Sequence, residues 1–167
     1  MRPGDCSRGC AHHDPGVFLA EAERVCRYRG LRLTPLRRLV LELIARSPHP
    51  LKAYDLLEQL KAHPGQRRAA PPTVYRALEF WLDQGFIHRI ASQNSYVGCP
   101  HPTEPHPRAF LVCEHCQRVI ELADHRFGRI LSRQAARYGF QARAQVIEVQ
   151  GRCEACAKAE ASPEGGG

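Results

Sequence analysis

Four cysteines in two pairs carry the strongest chemical signal in this 167-residue chain: Cys113-x-x-Cys116 and Cys153-x-x-Cys156. A CxxC turn offers two thiolates on one side of a tight knuckle. Two knuckles close a tetrahedral cage of four sulfurs, which suits zinc and leaves no open position. That makes the cage structural: it clips the end of the last strand onto an earlier hairpin. A segment of this size has a small core, so such a clip decides whether it folds. The competing chemistry for a CxxC is a redox dithiol, and two pairs in one short segment weigh against it.

A second set of donors is dispersed. His88, Cys99, His106 and Glu121 supply two imidazoles, one thiolate and one carboxylate. Together these types can complete a tetrahedral site. Spacing alone does not group them, and His101, His115 and His125 are equally available by residue type. Near the start, Cys6, Cys10, His12 and His13 can bind a metal weakly, but the stretch reads as a mobile tail. Cys26 falls on the apolar face of a helix and reads as a small buried core residue.

The elements that must position these residues follow from capping and periodicity. Asp14-Pro15 opens a helix whose Phe18, Ala22, Val25 and Cys26 recur at helical spacing. Thr34-Pro35 opens a second, with Leu36, Leu39, Val40, Leu43 and Ile44 on one face. A third spans roughly 52–62 and buries Leu56, Leu57 and Leu60. The stretch 71–90, PPTVYRALEFWLDQGFIHRI, organises the rest. Pro71 and Pro72 suit a first helical turn, where a missing N–H costs little. Val74, Leu78, Trp81 and Leu82 form one apolar face, and Gly85 closes the helix. Thr73, Tyr75, Arg76 and Glu79 stay off that face, with Tyr75 and Arg76 free to reach outward. Phe86–Ile90 is a short strand with His88 inside it, and Ser95-Tyr96-Val97 is its partner. Helices followed by a two-stranded hairpin predict a winged helix-turn-helix, whose last helix before the wing enters the major groove. Tyr54, at the start of the third helix, would then sit near phosphates or base edges.

Residues 100–108, PHPTEPHPR, read as a stiff hinge. Beyond it, 109–113 and 118–122 predict strands around the first knuckle. Phe127, Ile130, Leu131, Ala135 and Tyr138 predict a helix stopping at Gly139. Residues 140–150 predict a long strand with apolar residues on both faces, covered by helix on one side and a partner on the other. The expected layout is a flexible tail at 1–13, a DNA-binding domain at 14–99, the hinge at 100–108, a second domain at 109–158 and a tail at 159–167.

Charge fits this division. The net charge is +7, and residues 1–98 hold 15 Lys+Arg against 9 Asp+Glu. A polyanion partner is therefore expected for the helical half. With 43% apolar residues the chain has enough for real cores. No apolar run approaches a membrane span and no signal-peptide region precedes the first helix, so a soluble, cytoplasmic protein is expected.

RLTPLRRLVLELI, AYDLLEQL, PPTVYRALEFWLDQGFIHRI, NSYVGC and the paired knuckles together resemble the ferric uptake regulator family, in particular its zinc-sensing branch. The resemblance covers roughly residues 17–156. It implies an α+β fold: an N-terminal winged helix-turn-helix domain and a C-terminal α/β dimerisation domain with structural zinc. It implies a homodimeric repressor of zinc-uptake genes that binds double-stranded operator DNA when loaded with two zinc ions per chain. By position, structural zinc falls on Cys113, Cys116, Cys153 and Cys156. Regulatory zinc falls on His88, Cys99, His106 and Glu121. Tyr54 and Arg76 match base-contacting positions, with Thr73 and Tyr75 beside them as further DNA-facing residues. The alternative is an iron- or peroxide-sensing sibling. The iron branch carries a His-rich run before the first knuckle where this chain has PHPRAFLVC. A zinc hydrolase or deaminase is disfavoured: no His is followed by Glu two residues on, and Val112 rather than proline precedes Cys113.

Overall fold

The computed structural model describes residues 14–103, 108–122 and 124–161. They divide into two compact units, one ending at the 104/105 boundary and one following it.

The N-terminal unit opens with α1 (Pro15–Tyr28), capped by Asp14, whose carboxylate accepts from the Gly16 and Val17 N–H groups. Then come α2 (Pro35–Arg46), β1 (Leu51–Lys52), α3 (Ala53–Ala62), α4 (Pro71–Asp83), β2 (Ile87–Ile90) and β3 (Ser95–Gly98). Thr34 caps α2 by accepting from Arg37 N–H at 3.3 Å. The apolar stripes of all four helices meet in one core that includes Phe18, Cys26, Val40, Leu41, Leu56, Leu60, Leu78 and Trp81. Cys26 is buried there, as its place on the stripe predicts.

A Schellman cap ends α4: Gly85 N–H donates to Leu82 carbonyl at 3.1 Å and Phe86 N–H to Trp81 carbonyl at 3.0 Å. Gly85 takes φ +78°, and a Cβ there would lie 3.3 Å from the Pro102 carbonyl. The chain turns straight into β2. The wing has one strand more than the sequence pattern predicts. Its order is β1-β3-β2, with Leu51 opposite Tyr96 and Lys52 opposite Ser95. Two residues are too short to display alternation, so β1 reads as the start of α3 in sequence.

The C-terminal unit contains β4 (Arg108–Cys113), β5 (Val119–Glu121), α5 (His125–Arg137), β6 (Val146–Gly151) and α6 (Glu154–Ala161). The sheet order is β5-β4-β6, with β4 antiparallel to β5 and parallel to β6. Three expectations need correction. The strand expected over 140–150 forms only from Val146, where pairing with Arg108 begins. Before that, Phe140 N–H is spent on the Ala135 carbonyl in the cap of α5, and Gln145 donates to Ser132 Oγ. Residues 159–161, expected as tail, complete α6, which is supported by Lys158–Glu154 and Arg152–Glu160 ion pairs. Finally, a helix is expected over one face of this strand, but Val146 and Val149 lie on opposite faces of β6 and are both exposed, and no residue of α5 is buried. The expected tail at 1–13 and residues 162–167 lie outside the described residues.

Candidate functional site

The two knuckles meet because β4 and β6 run parallel side by side and end together. Cys113 is the last residue of β4 and pairs with Gly151, the last of β6. Glu114 N–H then donates to the Gly151 carbonyl at 2.9 Å, which ties the first knuckle to the second. Gln117 closes the first turn at φ +59°, with its N–H on the Cys113 carbonyl. Cys153 starts α6 by accepting from Ala157 N–H, and Cys156 lies in the first turn of that helix.

All four sulfurs fall within 4.8 Å of one another, and all four cysteines are free thiols. Cys116 and Cys153 sulfurs are 3.7 Å apart. A disulfide would bring two sulfurs to about 2.05 Å. Around a tetrahedral zinc at about 2.3 Å, neighbouring sulfurs lie about 3.8 Å apart. The cage therefore has the dimensions of a metal site.

Its electrostatics agree. Burial pushes the Cys113 thiol up, but backbone N–H groups of Cys116, Cys153 and His115 outweigh this and bring it down to about 6. The Cys153 N–H lies 3.3 Å from that sulfur. Cys156 goes the other way, pushed up to about 12 by the adjoining Cys153 sulfur and then by burial. One thiolate is ready, and the fourth resists forming among the others unless a cation is present. Arg118 and Arg152 line the same small cavity as Cys113 and Cys153.

Of the dispersed donors, the N-terminal unit brings two together. His88, in the middle of β2, and Cys99, just past β3, are both buried, with ligand atoms within 4.8 Å. The register explains this: Ile87 pairs with Gly98, so Cys99 follows opposite the start of β2, and its N–H donates to the Phe86 carbonyl at 2.9 Å. A buried imidazole beside a buried thiol at the base of the wing is a soft N,S donor pair. Glu121 is the last residue of β5 in the C-terminal unit. His106 lies outside the described residues.

The residues expected at DNA form an exposed face. Thr73, Tyr75 and Arg76 all point away from the core on the first two turns of α4, while Val74, Ala77, Leu78 and Trp81 are buried. Tyr54 is 72% exposed at the start of α3. The α4 N-terminus has no side-chain cap, since Ala70 holds that position and Pro71 and Pro72 follow. Neither proline carries an N–H and the Thr73 N–H donates to the Ala70 carbonyl at 2.9 Å, so what this end presents to an anion is the positive end of the helix dipole.

Residues 28–150 match the model of the ferric uptake regulator family. The chain belongs to that family. The zinc uptake regulation protein of Escherichia coli K12 is 44% identical over 145 residues, covering 86% of this chain and 84% of the relative. A solved zinc uptake regulator complexed with zinc and DNA is 42% identical, with a TM-score of 0.84, over 90% of this chain and 99% of that one. Holo XcZur is 44% identical, with a TM-score of 0.75, over 85% and 98% of the two chains. The family consists of regulators rather than enzymes, so the hydrolase and deaminase reading falls away. The α+β class, with a winged helix followed by an α/β unit, stands. Among the described residues, no helix is long and apolar enough to cross a membrane.

What sequence reasoning missed at the sites is the framework behind the ligands. The strand β1, the backbone bond from Cys99 to Phe86 and the parallel pairing of β4 with β6 carry no residue-type signature. Only the CxxC spacing hinted at the last of these.

Proposed function

We propose that this protein is a zinc-responsive, sequence-specific DNA-binding repressor of zinc-uptake genes, acting as a homodimer in the cytoplasm. The observation that carries the reading is the solved relative holding zinc and DNA together, matched across nine-tenths of this chain.

Two zinc ions per chain are the proposed complement. One is held by Cys113, Cys116, Cys153 and Cys156 and supplies folding energy to a unit with few buried side chains. The other is held by His88, Cys99, His106 and Glu121 and acts as the co-repressor. Zinc supplies a point at which imidazole, thiolate and carboxylate donors from separate elements are held together. What supports this is that the wing register and the Cys99 to Phe86 backbone bond bring His88 and Cys99 close together. Donors from the 14–99 DNA-binding domain, the 100–108 hinge and the 109–158 dimerisation domain are thereby tied in one arrangement. In a dimer this sets the separation of the two α4 helices, which must match half-sites about 34 Å apart. Zinc and operator then favour the same state, so each strengthens binding of the other.

Pairing of two copies is supported by the C-terminal unit. Phe127, Ile130 and Leu131 recur along α5 and are all exposed, as are Tyr138, Phe140, Val146 and Val149. β6 is an edge strand with one side unpaired within its sheet. Apolar surface of this extent marks an interface, and a second copy offers a matching strand edge. At the DNA face, phosphate contacts supply affinity and Arg76 reads a base edge, with Thr73, Tyr75 and Tyr54 alongside.

The test is zinc per chain measured together with operator binding, before and after a chelator too weak to strip the sulfur cage. Two zinc ions falling to one, with loss of operator binding, is the expected result. Binding that survives the chelator undiminished would overturn the reading, and binding that responds to iron(II) and not zinc would indicate the iron- or peroxide-sensing sibling.

A further inference from the structure

Trp81 touches no solvent, yet it lies on the helix that carries Thr73, Tyr75 and Arg76. It is the chain's one tryptophan and is fully buried. Its indole N–H donates to the Arg37 carbonyl at 2.8 Å. Arg37 belongs to the first turn of α2, where its own N–H donates to Thr34. Its guanidinium lies 3.7 Å over the Phe80 ring and also donates to the Arg32 carbonyl at 2.6 Å. One residue of α2 is thus held by its N–H, its carbonyl and its side chain. Two of those holds involve consecutive residues of α4. The Phe80 and Phe86 rings close on the indole edge-on, with centroids 4.9 and 5.4 Å away.

Leucine or phenylalanine could fill most of this volume. Apolar packing, however, has no direction, whereas a hydrogen bond weakens steeply off axis. The buried stripe of α4 fixes its roll about its own axis to within the width of that stripe, and the indole bond adds a directional restraint that narrows it. A side-chain tip lies about 6 Å or more from a helix axis, so a roll of about 20° moves it by ~2 Å. Placement errors of ~1 Å already spoil an oriented contact.

We propose that Trp81 is a positioning residue for operator recognition: through its N–H to the Arg37 carbonyl it narrows the roll of α4, and so the aim of Arg76 at the base edge. This rests on the repressor reading above.

The experiment uses full-length, zinc-loaded Trp81→Phe and Phe80→Leu proteins. Affinity is measured for operator and for random DNA of equal length, together with zinc content and thermal unfolding. Trp81→Phe should keep its zinc and its random-DNA affinity while the operator-to-random ratio falls about tenfold. Phe80→Leu should lower the same ratio by less. A ratio equal to wild type, with only a lower unfolding temperature, would reduce Trp81 to core packing. Equal losses on both DNAs would also overturn the proposal. If Trp81→Phe does not fold, a Trp81 analogue with sulfur in place of the indole N–H, which keeps the ring volume, decides by the same ratio. Wild-type protein with no zinc-dependent operator preference would instead sink the repressor reading itself.

Discussion

Cys99 and Cys113 are both buried thiols, yet replacing them should fail in different ways. Cys113→Ser removes a corner of the sulfur cage, so the C-terminal unit should lose its zinc and unfold, seen as lost chain pairing in sedimentation. Cys99→Ser should leave a folded dimer with one zinc per chain and no zinc-dependent operator binding. Identical behaviour of the two would void the division into structural and regulatory sites. Arg76→Ala should cost about 1–3 kcal/mol on operator DNA and much less on random DNA; equal losses would make it a phosphate contact. The two sites differ equally in how legible they are. Four cysteines in two local turns advertise themselves, because each pair's geometry is set within four residues. His88 and Cys99 become neighbours only through strand register, and Glu121 belongs to another unit altogether. Register is a tertiary outcome with no local residue signature, so resemblance grouped those donors where spacing could not.

At the scale of elements, caps and breakers explain most of what could be read in advance. Thr34-Pro35 and Pro71-Pro72 mark helix starts through backbone chemistry alone, and Gly85 marks an end because only glycine takes φ +78° without strain. Thr34→Ala should therefore cost about 1 kcal/mol in urea unfolding of the N-terminal unit. Gly85→Ala meets two penalties, the left-handed backbone and the Pro102 carbonyl. It should cost at least about 1–2 kcal/mol in the same measurement. The elements that escaped sequence reading are the short ones. β1 has two residues, and α6 follows directly from a knuckle whose cysteines dominate its pattern. The over-long strand at 140–150 arose because apolar residues at 140, 146, 147 and 149 look alike whether they pair or not. Only the neighbouring strand decides where pairing begins.

For the whole molecule, the exposed apolar surface of the C-terminal unit predicts obligatory pairing. Ile130→Glu, placed at 57% exposure in the centre of the α5 stripe, should yield a monomer in sedimentation. It should keep zinc in the sulfur cage but lose tight operator binding, since a single reading head contacts one half-site. The parallel pairing of β4 with β6 bears also on how the molecule is made. On the ribosome the middle strand emerges early, with its first knuckle exposed, and must wait while everything from β5 through α5 is synthesised. Only when residues beyond 151 appear can its parallel neighbour zip alongside and the second pair of thiolates arrive. Until then a nascent chain has half a cage. An ion captured at that stage can be surrendered to competing cellular thiols, so lasting zinc uptake is expected to come late in biosynthesis.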